Sequence, residues 1–308
     1  MLAPEKFSGV LTPVITPFNE DLSVNSDRLI AQCRWIISQD VGLAIFGTNS
    51  EANSLSIKEK MELLDELVES GIDPKKMMPG TGCCSLFETI ELTTHAINLG
   101  VSGSLLLPPF YYKGVSDEGL YASYSEIIER IGSSNFRIYL YNIPPVSNIP
   151  ISINLIERLI KNYPNTVVGI KDSSGDWGNT KDMLDQKWDD FRVFVGSETF
   201  LLNNMRNGGS GCISATANVN PAAIKHLYQN WNNKNALIYQ DKLDKIRNIF
   251  QGFPMIPALK AAAAIYSNDK EWNRVRPPLL SLSEQQFEQL RSNLREIEFL
   301  MPGLNKNQ

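Results

Sequence analysis

The feature that most constrains this chain is a rhythm. Short runs of apolar and β-branched residues recur through its first two thirds, each followed by a longer amphipathic stretch. Eight such runs are readable: Gly9–Thr16, Gly42–Gly47, Met77–Thr81, Gly103–Leu107, Phe136–Tyr141, Val167–Ile170, Phe191–Val195 and Gly211–Ile213. Most are apolar nearly end to end, as parallel strands covered on both faces must be. The segments between them carry helix signals. Ile57, Met61, Leu64, Leu67 and Val68 share one helical face behind a capping box of Ser56 and Glu59. Ser85 and Glu88 repeat the box before Ile90, Thr93, Thr94 and Ile97, and Gly71 and Gly100 stand where a left-handed residue commonly ends a helix. Strands alternating with helices form right-handed βαβ units on a parallel sheet. Eight units close most naturally into a (β/α)8 TIM barrel of the α/β class. An open doubly wound sheet is the second choice, but no G-x-G-x-x-G follows the first run to support a dinucleotide site.

After the eighth run the pattern turns helical, over Ala222–Trp231, Asn235–Phe250, Pro257–Tyr266 and Ser283–Met301, the last behind a Ser283/Gln286 box. This divides the chain into a barrel over residues 1–231 and a C-terminal helical subdomain over 232–308, with a polar tail, Asn305–Gln308, expected to fray. A length of 308 residues accommodates a barrel of roughly 250. The net charge of −5 argues against a nucleic-acid surface and gives no draw toward anionic membranes. No apolar run approaches the ~20 residues that span a bilayer, and Met1–Lys6 lacks the basic and apolar regions of a signal peptide. Cys33, Cys83, Cys84 and Cys212 show no framework spacing, so reduced thiols in a cytoplasmic protein are expected.

In such a barrel the chemistry lies where the strands end. The second run leads into Gly47-Thr48-Asn49-Ser50-Glu51, the fourth into Pro108–Lys113, the fifth ends in Tyr141-Asn142-Ile143-Pro144, and the sixth runs directly into Lys171-Asp172. Lys171 therefore starts from the apolar core, where burial disfavours the ammonium form and frees the amine to attack carbonyls. Taken alone, such a lysine more often pairs with a carboxylate, here Asp172, or reaches water. Its company changes that reading. Tyr141 can hydrogen-bond the amine or move protons, and Thr48 can relay them. Taken alone, Tyr141 reads as an amphipathic core residue and Thr48 as a turn residue. The Gly47–Ser50 turn can also offer backbone N–H groups to a substrate carboxylate, and Glu51 reads as a tie for that turn rather than a base.

These residues resemble the dihydrodipicolinate synthase/N-acetylneuraminate lyase family of pyruvate-dependent aldolases. The resemblance runs in order through Gly9–Phe18, Gly47–Glu51, Pro109–Tyr112, Leu140–Pro144, Gly169–Asp172, Gly196-Ser197 and Gly211–Ser214. It implies that Lys171 forms an imine with the keto carbon of pyruvate, with Tyr141 as proton relay, Thr48 beside it, and Tyr112 reaching a neighbouring subunit's site. It implies that the backbone of Gly196 and Ile213 faces the keto acid, and that the assembly is a homotetramer, a dimer of dimers. Two departures stand out. The turn commonly reads Gly-Thr-Thr-Gly-Glu, whereas Asn49 is no hydroxyl relay, although it can still hold a carboxylate. Val146 stands where synthases carry an arginine for the second substrate's carboxylate, a bidentate partner that valine cannot replace.

The expected function is therefore a Schiff-base lyase or aldolase using pyruvate or a related 2-keto acid and an aldehyde, cleaving a 2-keto-3-deoxy sugar acid or similar compound. Three rivals remain: 4-hydroxy-tetrahydrodipicolinate synthase, a deoxy-sugar-acid dehydratase acting through the same imine, and a 2-keto-acid-binding barrel without turnover. No cofactor is expected; nothing in the chain argues for pyridoxal phosphate. His95 and His226 have no ligand spacing, so no metal is expected. Gly208–Gly211 reads better as a tight turn than as a phosphate loop, and Cys83 and Cys84 as buried small apolar residues.

Overall fold

The alternation takes the form of seven strands and twelve helices in the computed structural model, which describes residues 5–304. In chain order they are β1 (Gly9–Thr12), α1 (Ser26–Ser38), β2 (Gly42–Leu43), α2 (Ile57–Glu69), α3 (Leu86–Asn98), β3 (Ser104–Leu106), α4 (Asp117–Ile131), β4 (Ile138–Asn142), α5 (Pro144–Ser147), α6 (Ile153–Asn162), β5 (Val167–Asp172), α7 (Trp177–Asp185), β6 (Arg192–Val195), α8 (Leu201–Arg206), β7 (Gly211–Ile213) and α9 (Pro221–Gln229). Then come α10 (Ala236–Gln251), α11 (Met255–Ser267) and α12 (Glu284–Glu296). The expectations for Met1–Pro4 and for the tail Asn305–Gln308 lie outside the described residues.

The strands form one curled parallel sheet in the order β2-β1-β7-β6-β5-β4-β3. One of the eight expected strands is not regular. Met77–Thr81 makes only two isolated parallel bridges, Leu43↔Met77 and Gly80↔Leu105. Pro79 has no N–H to give a ladder, and a Cβ at Gly80 would lie 2.2 Å from the Phe46 carbonyl oxygen, too close for even pleating. The segment still reaches both end strands: Met78 and Gly80 donate to the carbonyls of Leu43 and Ile45, while Thr81 donates to Leu105 and Leu105 to Pro79. The first strand is also shorter than expected. Beyond Thr12 a side chain replaces the ladder, as Asn218 accepts from the Ile15 amide at 2.9 Å and donates to the Pro13 carbonyl at 2.9 Å.

Helix starts follow the expected chemistry. Ser56/Glu59 and Ser283/Gln286 form reciprocal boxes. At α3 only half of the box forms, since Ser85 accepts from the Glu88 amide without a return bond. Gly71 and Gly100 adopt the expected positive φ, 89° and 86°. On the inner face of the sheet, Leu11, Ala44, Met78, Leu105, Tyr139, Tyr141, Val168, Phe194 and Ile213 pack together. On the outer face the helices close over Leu106, Ile138, Leu140, Ile170 and Val193. The C-terminal helices join the main outer cluster, where Ala258–Ala264, Leu290 and Leu294 meet Leu29, Trp35 and Ile36 of α1. Trp35 is buried and donates from Nε1 to the Pro302 carbonyl at 3.0 Å, so the last turns of the chain are stitched to the first helix. Among the described residues no helix is long and apolar enough to cross a membrane.

Candidate active site

Parallel register brings the chemistry together at the carboxyl end of β5. Lys171 pairs with Tyr141 on β4 and with Phe194 on β6. Its side chain is buried, with Nζ 4.1 Å from the centroid of the Tyr141 ring. Because successive strand residues face opposite ways, Asp172 points away from the lysine, into a polar shell. Its carboxylate accepts from Asn142 Nδ2 (2.9 Å), Ser174 N (3.1 Å), Ser174 Oγ (3.0 Å) and Thr180 Oγ1 (2.6 Å). The alternative of a Lys171–Asp172 pair is thus not realised. Among the described residues Lys171 Nζ makes no hydrogen bond or ion pair, which leaves the amine to a ligand.

Beside it, the Tyr141 hydroxyl lies 3.1 Å from Thr48 Oγ1. Thr48 opens a single 3-10 turn, Thr48–Ser50. That turn is pinned from within and from below: Gly47 N–H donates to Ser50 Oγ at 3.2 Å, and Thr16 Oγ1 donates to the Ser50 carbonyl at 2.6 Å. Among the described residues the amides of Thr48 and Asn49 have no acceptor, as the first N–H groups of such a turn lack one within it. Asn49 is half-buried at the same turn. Glu51 then leaves the turn in a left-handed conformation, φ 54°. Its buried carboxylate pairs with Lys260 of α11 and accepts from the Arg276 N–H at 2.9 Å. Lys260 in turn donates to the Arg274 carbonyl at 2.6 Å. Burial pushes the Lys260 amine down to about 8, with Glu51 pulling the other way. The Arg276 guanidinium donates to the Ser54 carbonyl at 2.7 Å and pairs with Glu59 at 2.5 Å, which holds the Glu59 carboxyl down at about 2. Glu51 ties the turn down, and cations from the C-terminal helical section hold the knot.

Gly196 and Ile213 lie at the ends of the next two strands. The Gly196 amide donates to the Asp172 carbonyl at 2.7 Å, and a Cβ there would lie 2.0 Å from Ser173 Oγ, so only glycine fits. Ile213 belongs to the inner cluster beside Phe194. Sequence reading missed the polar group behind them. Glu198 is buried and accepts from the hydroxyls of Ser214 and Thr216, while Asn218 bridges Pro13, Ile15 and Ala215. The acidic residue two positions after a strand-end glycine was a local hint, but its partners lie far along the chain.

The remaining expected residues lie on an open side. Tyr112 is 74% exposed in the loop after β3, edge-on to Tyr111 at 5.4 Å, and among the described residues it makes no hydrogen bond to Thr48 or Tyr141. Val146 is 58% exposed on α5. Lys113 reaches across between them, donating to the carbonyls of Phe110 and Ser147. The single chain therefore gathers Lys171, Tyr141 and Thr48, with Asn49, Gly196 and Ile213 on the adjoining strand ends, and leaves Tyr112 and Val146 at the rim. Cys84 is exposed and Cys83 half-buried, contrary to the expectation of buried thiols, because they occupy the turn leaving the irregular Met77–Thr81 segment. Gly208–Ser210 precedes β7, at the amino ends of the strands, and its amides bond to Met205, Asn204 and Val193. His95 pairs with Asp65 at 2.8 Å and His226 packs on Tyr239. Among the described residues no group of acidic, histidine and cysteine side chains is spaced to hold a metal ion.

A buried amine beside a phenol and a hydroxyl, under two free amides, is an arrangement suited to condensing with a carbonyl and moving its protons. Comparison with known proteins shows the family of the chain. The profile of the Dihydrodipicolinate synthetase family matches residues 6–297. The chain is 30% identical over 292 residues to an uncharacterized DapA-like lyase of Chloroflexus aurantiacus, covering 94% of this chain and 96% of that one. It is 31% identical over 297 residues to the 4-hydroxy-tetrahydrodipicolinate synthase of Methanococcoides burtonii, covering 94% and 98%. Among solved structures, a prophage protein of the dihydrodipicolinic acid synthase family from E. coli K12, in complex with pyruvate, superposes with a TM-score of 0.86 at 25% identity, covering 95% and 99%.

Proposed function

The chain belongs to the dihydrodipicolinate synthetase family, whose members are lyases, and from that premise we propose that it is a class I aldolase acting through an imine on Lys171. The observation that carries this reading is the buried lysine with no carboxylate partner among the described residues, its amine against the ring of Tyr141, whose hydroxyl meets Thr48. The amine attacks the keto carbon of pyruvate or a related 2-keto acid, and loss of water leaves a protonated imine. That cation is an electron sink, so the methyl carbon gives up a proton, becomes an enamine and adds to an aldehyde; the reverse sequence cleaves an aldol. Tyr141 and Thr48 pass the protons. The amides of Thr48 and Asn49 hold the carboxylate of the keto acid, and the backbone of Gly196 and Ile213 lines its other side.

Within this reading the eighth stave is Met77–Thr81, whose bridges to both end strands support a closed (β/α)8 barrel, and residues 232–308 act as a helical subdomain buttressing residues 1–231. Tyr112 completes the site of a neighbouring copy in a homotetramer built as a dimer of dimers, a role its exposure supports. Four free cysteines support a cytoplasmic protein, and the imine chemistry itself calls for no cofactor. Cleavage of a 2-keto-3-deoxy sugar acid is preferred to dihydrodipicolinate synthesis, because the rim carries Val146 where a carboxylate partner is needed. The second reading, condensation of pyruvate with aspartate semialdehyde, is favoured by the synthase name of the Methanococcoides relative. A dehydratase would share the imine but release a dehydrated keto acid instead of pyruvate and an aldehyde. A keto-acid-binding barrel without turnover would bind and not release either.

Borohydride reduction in the presence of pyruvate, followed by peptide mapping, tests the imine. An adduct on the peptide carrying Lys171 is expected; a chain that binds pyruvate yet yields none refutes the mechanism. A screen of pyruvate release from sialic acid, 2-keto-3-deoxy sugar acids and 4-hydroxy-2-oxoglutarate, run beside aspartate semialdehyde condensation, separates the substrates.

A further inference from the structure

We infer that Glu198 is a positioning residue: its buried carboxylate, locked by α10, fixes together the two strand-end segments, Gly196-Ser197 and Ile213-Ser214, that line the keto-acid side of the pocket. The functional meaning rests on the reading above; the geometry does not. Glu198 is 1% exposed, two residues beyond Gly196. One carboxylate oxygen accepts from Ser214 Oγ and the other from Thr216 Oγ1, and the Glu198 amide approaches Ser214 Oγ at 3.4 Å. The loop after β6 and the loop after β7 are thus joined through one residue at three points, two on its carboxylate and one on its amide. Helix α10 supplies the backing. Gln240 Nε2 donates to the Glu198 carbonyl at 2.9 Å, while Gln240 Oε1 accepts from Leu202 N at 3.1 Å. Two turns further along, Arg247 brings its guanidinium to 3.4 Å from the carboxylate and 3.5 Å from Ser214 Oγ.

A carboxylate costs much to bury unless it is both paired and hydrogen-bonded. Here each oxygen has a hydroxyl donor and a guanidinium stands alongside, so the arrangement is satisfied only when both loops are in place. That makes it a gauge of loop position rather than a general support. It is also close to the chemistry. The buried Cys212 thiol, one residue before Ile213, is raised first by burial and then by Glu198, which sets the Glu198 carboxylate near the strand end that carries Ile213. Glu198 touches no reacting atom and acts only through the backbone it holds.

The test uses the full chain with Glu198→Gln and Thr216→Val. Glutamine keeps an acceptor for one hydroxyl and loses the other; valine keeps the carboxylate and removes one donor. Both are expected to raise the KM for pyruvate by about tenfold while changing kcat by less than about threefold. Hydrogen exchange in peptides covering residues 193–203 and 211–220 is expected to quicken in both segments together, with residues 104–112 unchanged. Unaltered exchange in both variants, or faster exchange with an unmoved KM, overturns the inference. Should E198Q not fold, T216V decides alone. If the wild-type chain yields no borohydride adduct, the aldolase reading falls, while the exchange data still judge whether Glu198 holds the two loops.

Discussion

The two sides of the pocket mouth are built on opposite principles. On one side, the turn after β2 and the loops after β6 and β7 are fastened by buried carboxylates, Glu51 and Glu198, each with a cation supplied by the C-terminal helices, Lys260 and Arg247. On the other, the loop after β3 and the short α5 present Tyr111, Tyr112 and Val146 to solvent, with Lys113 bonded to the backbone carbonyls of Phe110 and Ser147. The fastened side is preorganised for a fixed partner. The open side is cheap to vary, and under the proposed function it is where a second substrate or a second copy of the chain would be met. One half of such a site can thus keep its chemistry while the other changes what it accepts.

The comparison can be broken first at the lysine. Lys171→Ala is expected to lower turnover by about 10⁴-fold or more and to abolish the borohydride adduct, while the melting curve stays cooperative. Residual turnover within tenfold of wild type would sink the imine mechanism. Next comes the fastening itself. Lys260→Met leaves the Glu51 carboxylate buried without its cation, and urea unfolding is expected to show a loss of about 3–5 kcal/mol. The double variant E51Q/K260M should recover part of that loss; if it loses as much as K260M, the pair is not what the turn depends on. Tyr141→Phe is expected to cost about 10²-fold in kcat with Lys171 still trapped by borohydride, since in the proposed mechanism the phenol moves protons and the amine forms the bond. On the open side, Val146→Arg should change stability by less than about 0.5 kcal/mol. It should raise turnover with a carboxylate-bearing aldehyde by about tenfold, measured against a neutral aldehyde; equal change for both would remove Val146 from specificity.

The smallest effect concerns pH. Arg276 holds the Glu59 carboxyl at about 2 against an ordinary 4.5. Its contribution to stability is therefore complete above pH 4.5 and lost as the pH falls from there through 2. The partial exposure of both groups keeps that contribution modest. The gap between wild type and Glu59→Gln in melting temperature should narrow over that acid range; a gap unchanged from neutral pH to pH 2 would show that the charge pair contributes nothing.

What was legible in the sequence follows the same division of causes. Parallel strands covered on both faces must be apolar throughout, so seven of the eight runs could be found without knowing their neighbours. Strand ends then placed Lys171, Tyr141 and Thr48 together, because register between adjacent parallel strands fixes which residues meet. The Met77–Thr81 run misled because its composition is that of a strand, while Pro79 and the crowding at Gly80 act only once Phe46 is beside it. Lys260 and Arg247 left no sign in the sequence, and Glu198 only the local hint of an acid two positions after a strand-end glycine. Their pairing depends on how α10 and α11 lie across the loops, and no periodicity in the chain records that contact. Tyr112 and Val146 were recognised by resemblance, and the structure leaves both exposed, on the loop after β3 and on α5.

The Glu51 fastening also sets an order on synthesis. Its acceptor joins the Arg276 amide across 225 residues, and the Glu59 contact to the same arginine spans 217. A ribosome adding about 5–20 residues per second therefore releases the strand-end turn well before Lys260 and Arg276 exist. Until they emerge, burying Glu51 is unfavourable and its turn is best left in water. The pocket of a nascent chain is the last part to set, and a chain stopped short of Lys260 has every strand of the sheet and no means of closing it over the acid.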